Sequence, residues 1–302
     1  MGKRKKKRNV TKEQRILRRR DFLSGLAFLS PSLIGVGVFF VAPFCVVVYY
    51  SLIDGVATKN FVGLNNFIRL FENSAFLLAA RNTLRFSLIA VPLAVIFALA
   101  LAVMLEERIP MKSYFRSFFL SPMMVPVASV VLIWQVLFNY NGTVNEILKW
   151  FGQDKIDWLQ SNSAQVVVIL LFLWKNLGYN MILFMSALSN IPSALIEAAQ
   201  VEGAKDSYIF FHIKMRYLSP TVLFVAILSM INSFKVFREV YLLSGDYPYE
   251  ALYMLQHFMN NTFRSLDYQK LSAAAVIMAV VLVVVIWGLF RLEDRFGRDI
   301  EG

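Results

Sequence analysis

A single cysteine, Cys45, serves all 302 residues, and it falls inside a long apolar run. No disulfide can close within the chain, and no metal site can be built from cysteines. Histidine is almost as scarce. His212 and His257 stand far apart, without a helical partner four residues away, so no metal site is expected. There is no GxxxxGK[ST] phosphate loop and no GxSxG elbow. No catalytic residue and no cofactor bound by this chain are therefore expected. Charge is sparse as well, at 17% of residues, whereas a soluble domain carries about a quarter.

What fills the chain instead is apolar surface, 58% of residues, with a mean hydropathy of +0.57. Several runs reach the ~20 apolar residues needed to cross ~30 Å of hydrocarbon. Inside a bilayer the backbone must satisfy its own hydrogen bonds, so the spans are helices or a closed barrel. The runs are continuous rather than alternating, which excludes the barrel. The expected fold class is an all-α polytopic membrane protein with six transmembrane helices. They are read as Phe22–Leu52, Thr83–Leu105, Ser117–Phe138, Ala164–Leu188, Tyr217–Leu243 and Leu271–Phe290.

The net charge of +11 is concentrated in the opening MGKRKKKRNVTKEQRILRRRD, which runs directly into the first span. That placement suits a cytoplasmic tail touching anionic membrane lipid and not nucleic acid. Residues 1–21 read as this tail and 292–302 as a second one. With the N-terminus inside, the inner segments hold Arg108, Lys112 and Arg116, then Lys205, Lys214 and Arg216, then Arg291, Arg295 and Arg298. The positive-inside rule then puts both termini in the cytoplasm. Between spans one and two, Phe61–Asn82 has helical spacing and predicts a helix along the outer surface. In Asn139–Ser163, Trp150 and Trp158 read as interface anchors.

The segment between spans four and five, EAAQVEGAKDSYIFFHIKMRYLSP, is too elaborate for a plain connection. Ser189-Asn190-Ile191-Pro192 offers a helix start, with a capping residue and then proline in the first turn. Ser193–Val201 then supplies helix formers, with Glu197 in the first half, where the helix dipole suits a carboxylate. Gly203 permits positive φ at a reversal, or close approach of another backbone. A second helical piece presents Tyr208, Phe210, Phe211 and Ile213, and Pro220 marks the start of span five. Two short helices around a glycine form either a knob for a partner's groove or a cover for the bundle.

The segment resembles the EAA motif of permease subunits in binding-protein-dependent ABC importers. Glu197, Ala198, Ala199, Gly203, Ala204, Phe210, Ile213 and Pro220 stand in the family register, while Met215 and Arg216 replace its Leu-Pro. FVGLNNF, NTLRFSL, WQVLFNYNGTVNEIL and SALSNIP look like the carbohydrate-type branch, which holds maltose and glycerol-phosphate permeases. The NYNGTVN segment and the basic tail look like the first permease of such pairs. The resemblance implies the type I importer permease fold, with the permease domain at 81–291 and its coupling loop at 190–217. Residues 22–80 would form the added first helix and outer loop. It implies ATPase coupling through Glu197, Ala198, Ala199, Gly203, Ala204, Tyr208, Phe210, Phe211 and Ile213. The implied partners are a second permease, two ATP-binding subunits that carry the ATP and magnesium, and an extracytoplasmic solute-binding protein. The implied solute is sugar-like and the implied location is a bacterial inner membrane.

Polar residues within spans are candidates for the translocation path. Span four holds Lys175, Asn176 and Tyr179, and span five holds Asn232, Phe234, Lys235 and Arg238; Trp134 in span three could stack on a sugar. Lys235 lies ~27 Å along its helix from Tyr217, near the outer face. Lys235 and Arg238 either snorkel there with Glu239 as counter-ion or line the path. An ion- or proton-coupled secondary transporter using Lys175, Lys235 and Glu239 is the alternative, and a structural scaffold a third.

Overall fold

The computed structural model describes residues 12–106 and 112–297. The first eleven residues of the basic tail, Arg108 and Arg298 lie outside the described residues. Helices and their connections make up the fold.

The first span is α1 (Lys12–Val36), a π-helical stretch at Gly37–Val41, and α2 (Ala42–Ser51). Pro31 lies inside α1 and Pro43 in the first turn of α2, both accommodated without a break in the span. α2 packs on the last helix, while Phe28, Phe39 and Phe40 are exposed, as expected of a lipid-facing surface.

The surface helix expected over Phe61–Asn82 is shorter. α3 is Asn65–Glu72, and span two has already begun at Ser74, as α4 (Ser74–Glu106), rather than at Thr83. Asn73 divides them: its extended backbone ends α3, and its Oδ1 accepts the Phe76 N–H at 3.0 Å. It thus caps α4 in the manner common to asparagine at helix starts. Thirty-three residues make α4 about 50 Å long, more than a bilayer core requires. Ala90, Ala94, Ala98 and Ala102 recur every fourth residue and are fully buried. They bring α4 close along α8 (Ala164–Ser189), the most extensive pairing in the bundle. Ala90 and Ala94 meet Val168 and Phe172 in one core cluster; Ala98 and Ala102 meet Met181, Phe184 and Leu218 in another.

The third span is not the single helix expected over Ser117–Phe138. α5 (Lys112–Met124) and α6 (Val127–Leu137) meet at a bend of 99°. Pro126 lacks an N–H and disfavours helical backbone at Val125, so the chain turns there, and Pro126 becomes the N-terminal cap of α6. α7 (Thr143–Trp150) follows in the loop before α8.

Span five is also longer than expected. It is continuous from Asp206 to Ser244: α10 (Asp206–Tyr208), a π-helical stretch at Ile209–Lys214, α11 (Met215–Lys235) and α12 (Phe237–Ser244). Pro220 lies inside α11 and not at its start. Arg216 falls in the first turn of α11, so helix joins the glycine turn to the span without interruption. α13 (Leu255–Arg264) packs beside α4, and α14 (Tyr268–Gly297) is the sixth span, extended at both ends beyond Leu271–Phe290. Below, the near end is the one where α4 finishes at Glu106, and the far end the one where α4 starts.

Candidate functional site

The near end carries the elaborate connection. α8 finishes at Ser189, whose Oγ donates back to Ser186 O at 2.8 Å, so Ser189 closes one helix rather than capping the next. The next helix, α9 (Ser193–Val201), starts from Pro192 in extended conformation, with no side-chain cap. It ends in a Schellman arrangement: Gly203 N–H donates to Gln200 O at 3.0 Å and Ala204 N–H to Ala199 O at 2.9 Å. Gly203 has φ +85°, the left-handed region that a Cβ disfavours. No other atom comes near enough to crowd a side chain there, so the glycine serves the turn and not a close approach.

Among the coupling candidates, Glu197, Ala198, Gly203, Tyr208 and Phe211 are exposed, and Val201, at 89%, is among the most exposed apolar residues. Ala199, Ala204, Phe210 and Ile213 are half-buried; Phe210 meets Phe211 edge to face at 5.0 Å. Tyr208 stacks on His212 at 4.2 Å. The inner side of this knob faces a cavity of about 580 Å³ lined by Glu106, Ile196, Gln200, Asp206, Phe210 and Lys214. Lys214 reaches Glu106 across it at 2.7 Å, tying the knob to the end of α4.

The intramembrane candidates divide into groups. Asn232 Nδ2 donates to Asn176 Oδ1 at 2.9 Å, and Asn176 Nδ2 donates to Phe172 O at 2.8 Å. Lys175 pairs with Glu239. Glu239 is thus the counter-ion of span four and not of Lys235 or Arg238, whose side chains are exposed. The expectation was built on sequence proximity; the structure instead buries Glu239 against α8, where Lys175 meets it, and leaves Lys235 and Arg238 exposed. Lys235 and Phe234 line a cavity of about 200 Å³ with Thr83, Ser233, Met254 and Gln256. Trp134 stacks on Phe138 at 5.1 Å and tilts against Trp174, in an aromatic group that Trp158 joins through Phe138. Tyr179 is exposed and belongs to none of these groups.

Three members were missed. Asn180 donates to Ser229 Oγ at 2.9 Å, one turn from the asparagine pair, and both are fully buried. Ser87 of α4 shares a 2.9 Å hydroxyl bond with Ser233. The i, i+4 spacing of Asn176 and Asn180 was a readable signal, because two amides on one face of a span need a polar partner.

The chain is a polytopic helical bundle with a structured knob at one end and polar contacts running between its spans. A family model for the inner membrane component of binding-protein-dependent transport systems matches residues 90–301, and the chain belongs to that family. It is 32% identical to the probable ABC transporter permease protein YesP of Bacillus subtilis, covering 91% of this chain and 90% of that one. It is 30% identical to the trehalose/maltose transport system permease protein MalF of Thermococcus litoralis, covering 94% and 97%. The fold matches a solved bacterial ABC transporter involved in the import of the acidic polysaccharide alginate. The TM-score is 0.77 at 22% identity, over 92% of this chain and 96% of that one.

Proposed function

We propose that this chain is one of two permease subunits of an ATP-driven importer in a bacterial inner membrane, and that it passes a sugar or sugar-like solute. The single observation that carries the coupling role is the knob of α9, Gly203 and α10. It is rigidly turned, exposed at Val201, Tyr208 and Phe211, and continuous in helix with span five. A force applied to the knob passes from α10 into α11 along unbroken helix. The ATP-binding subunits, which carry ATP and magnesium, supply that force from the cytoplasm, so the near end is cytoplasmic and the far end faces the solute-binding protein. Relatives that transport trehalose and maltose, lactose and glycerol phosphate support a carbohydrate-type solute.

The test is co-expression with a second permease, an ATPase and a solute-binding protein encoded beside this chain. The expected result is a co-purifying ATPase and uptake that continues when proton and sodium gradients are collapsed with ATP preserved. Uptake that stops with the gradients would sink this reading and favour a secondary transporter.

A further inference from the structure

Within the continuous span five, α11 and α12 meet at Val236, whose backbone stays in the helical region (φ −61°, ψ −15°). Polar contacts from three elements hold α12; one is Arg264 of α13, which donates to Tyr241 Oη at 3.2 Å. Gln135 of α6 donates to Leu242 O at 3.3 Å and Leu243 O at 3.0 Å, carbonyls of the last helical turn. Glu239, only 7% exposed, receives the ammonium of Lys175 on α8. On the near side of Val236, α8 also holds α11 through Asn176–Asn232 and Asn180–Ser229. Span four therefore grips span five on both sides of Val236, with an ion pair on the far-end side.

A buried carboxylate is tolerated while its charge is paired, and stranding it is among the most costly events inside a protein. Drawing α12 away from α8 leaves both charges unpaired unless water reaches them. The pair therefore has two acceptable conditions: joined and dry, or parted and wet. An amide pair such as Asn176–Asn232 imposes this choice far less sharply, because no net charge is stranded. Transport by alternating access needs a discrete two-state element of this kind at the end opposite the coupling knob.

We infer that Lys175 and Glu239 form a charge latch at the far end of the passage. The pair holds α12 on α8 while that end is shut and parts as the passage fills with water. Both are positioning residues: they act by fixing α12, without touching the solute. The inference rests on the reading of this chain as an ATP-driven importer subunit.

The test uses the assembled transporter in liposomes, with hydrolysis measured with and without solute-binding protein, and uptake measured per ATP. The double variant K175M/E239M removes both charges and strands neither. It is expected to raise hydrolysis without binding protein about fivefold or more and to lower uptake per ATP by a similar factor. The swap K175E/E239K is expected to return both quantities towards wild type. E239Q, which preserves volume and an acceptor for Lys175, provides an intermediate readout if the double variant assembles poorly. Wild-type values in the neutral variants overturn the latch, as does an assembled swap no better than the double variant. Absence of ATP-dependent uptake by the wild type is a separate outcome, which defeats the functional reading itself.

Discussion

Lys214, in the π-helical stretch that follows the glycine turn, holds the carboxylate of Glu106, the last residue of α4, at 2.7 Å. The contact links the knob to a second span, besides the one it continues into. Both side chains keep part of their surface in solvent, so the pair contributes at most about 1 kcal/mol to folding. Its value is geometric. Glu106→Gln is expected to leave assembly and thermal stability almost unchanged but to lower solute transported per ATP. Side-by-side uptake and hydrolysis assays check this, and unchanged coupling would remove the link from the mechanism.

Gly203→Glu places a Cβ where φ is +85°, at a strain of about 1–2 kcal/mol, in a position with free space for the side chain. The bundle should still insert, because the strain is local. Uptake should fall while ATP hydrolysis persists, since the turn sets the angle between the two halves of the knob. Gly203→Asn, which tolerates this backbone better, should retain more uptake than Glu. Normal uptake with Gly203→Glu would contradict a coupling role.

Gly178 is a packing glycine of another kind. A Cβ there would lie 1.9 Å from Phe119 O, so α8 and α5 touch backbone to backbone. Gly178→Ala must push the two helices apart, at a cost of about 3 kcal/mol or more, because no flexible side chain can give way. A large drop in detergent thermal stability is the expected measurement.

Asn145 is wholly buried in the far-end loop and makes contacts on both sides of its amide. Its Nδ2 donates to Tyr140 O at 2.9 Å and Ile156 O at 2.8 Å. Its Oδ1 accepts from Ile156 N–H at 3.1 Å and Trp158 Nε1–H at 2.9 Å. Asn145→Ala leaves these groups unpaired and should destabilise the loop by about 2–4 kcal/mol. Faster proteolysis between residues 139 and 163 and a red-shifted Trp158 fluorescence would report it.

His257 gives the far end an acid-sensitive point. Its ring is 1% exposed; Nδ1 accepts the Met254 N–H at 3.4 Å, while Nε2 is buried without a partner. Burial pushes its pKa down from 6.5 to about 4, against the opposing pull of Asp246. Below pH 6.5 the unfolded chain takes up a proton that the folded one refuses. The stability is thus complete above pH 6.5 and is lost as pH falls towards 4, by at most about 3 kcal/mol. Thermal unfolding between pH 7 and 4 should show this slope, and His257→Phe should flatten it.

Much of the fold was legible in the chain because hydrocarbon admits so few backbone solutions. Long apolar runs marked the spans, and glycine at 203 marked the turn. Each misplacement arose where a local residue competes with the run that contains it. Asn73 caps a span that hydropathy alone would start later, Pro126 bends a run that reads as continuous, and Pro220 is absorbed into a helix it was expected to begin. Apolarity is summed over a window, whereas a cap or a missing N–H acts at one residue.

By itself, the sequence determined that this protein crosses a membrane on helices and has a glycine-turned connection between its fourth and fifth spans. Local chemistry and composition suffice for those, while its place among the importer permeases came from the resemblance of that connection to the family's motif. Only the tertiary structure decided the partners of its intramembrane polar groups: Lys175 with Glu239, Asn176 with Asn232, Asn180 with Ser229, Ser87 with Ser233. These contacts join residues from 49 to 146 positions apart. Their pairing depends on how the helices rotate and cross, and that is set by the packing of alanines, phenylalanines and glycines along every span at once.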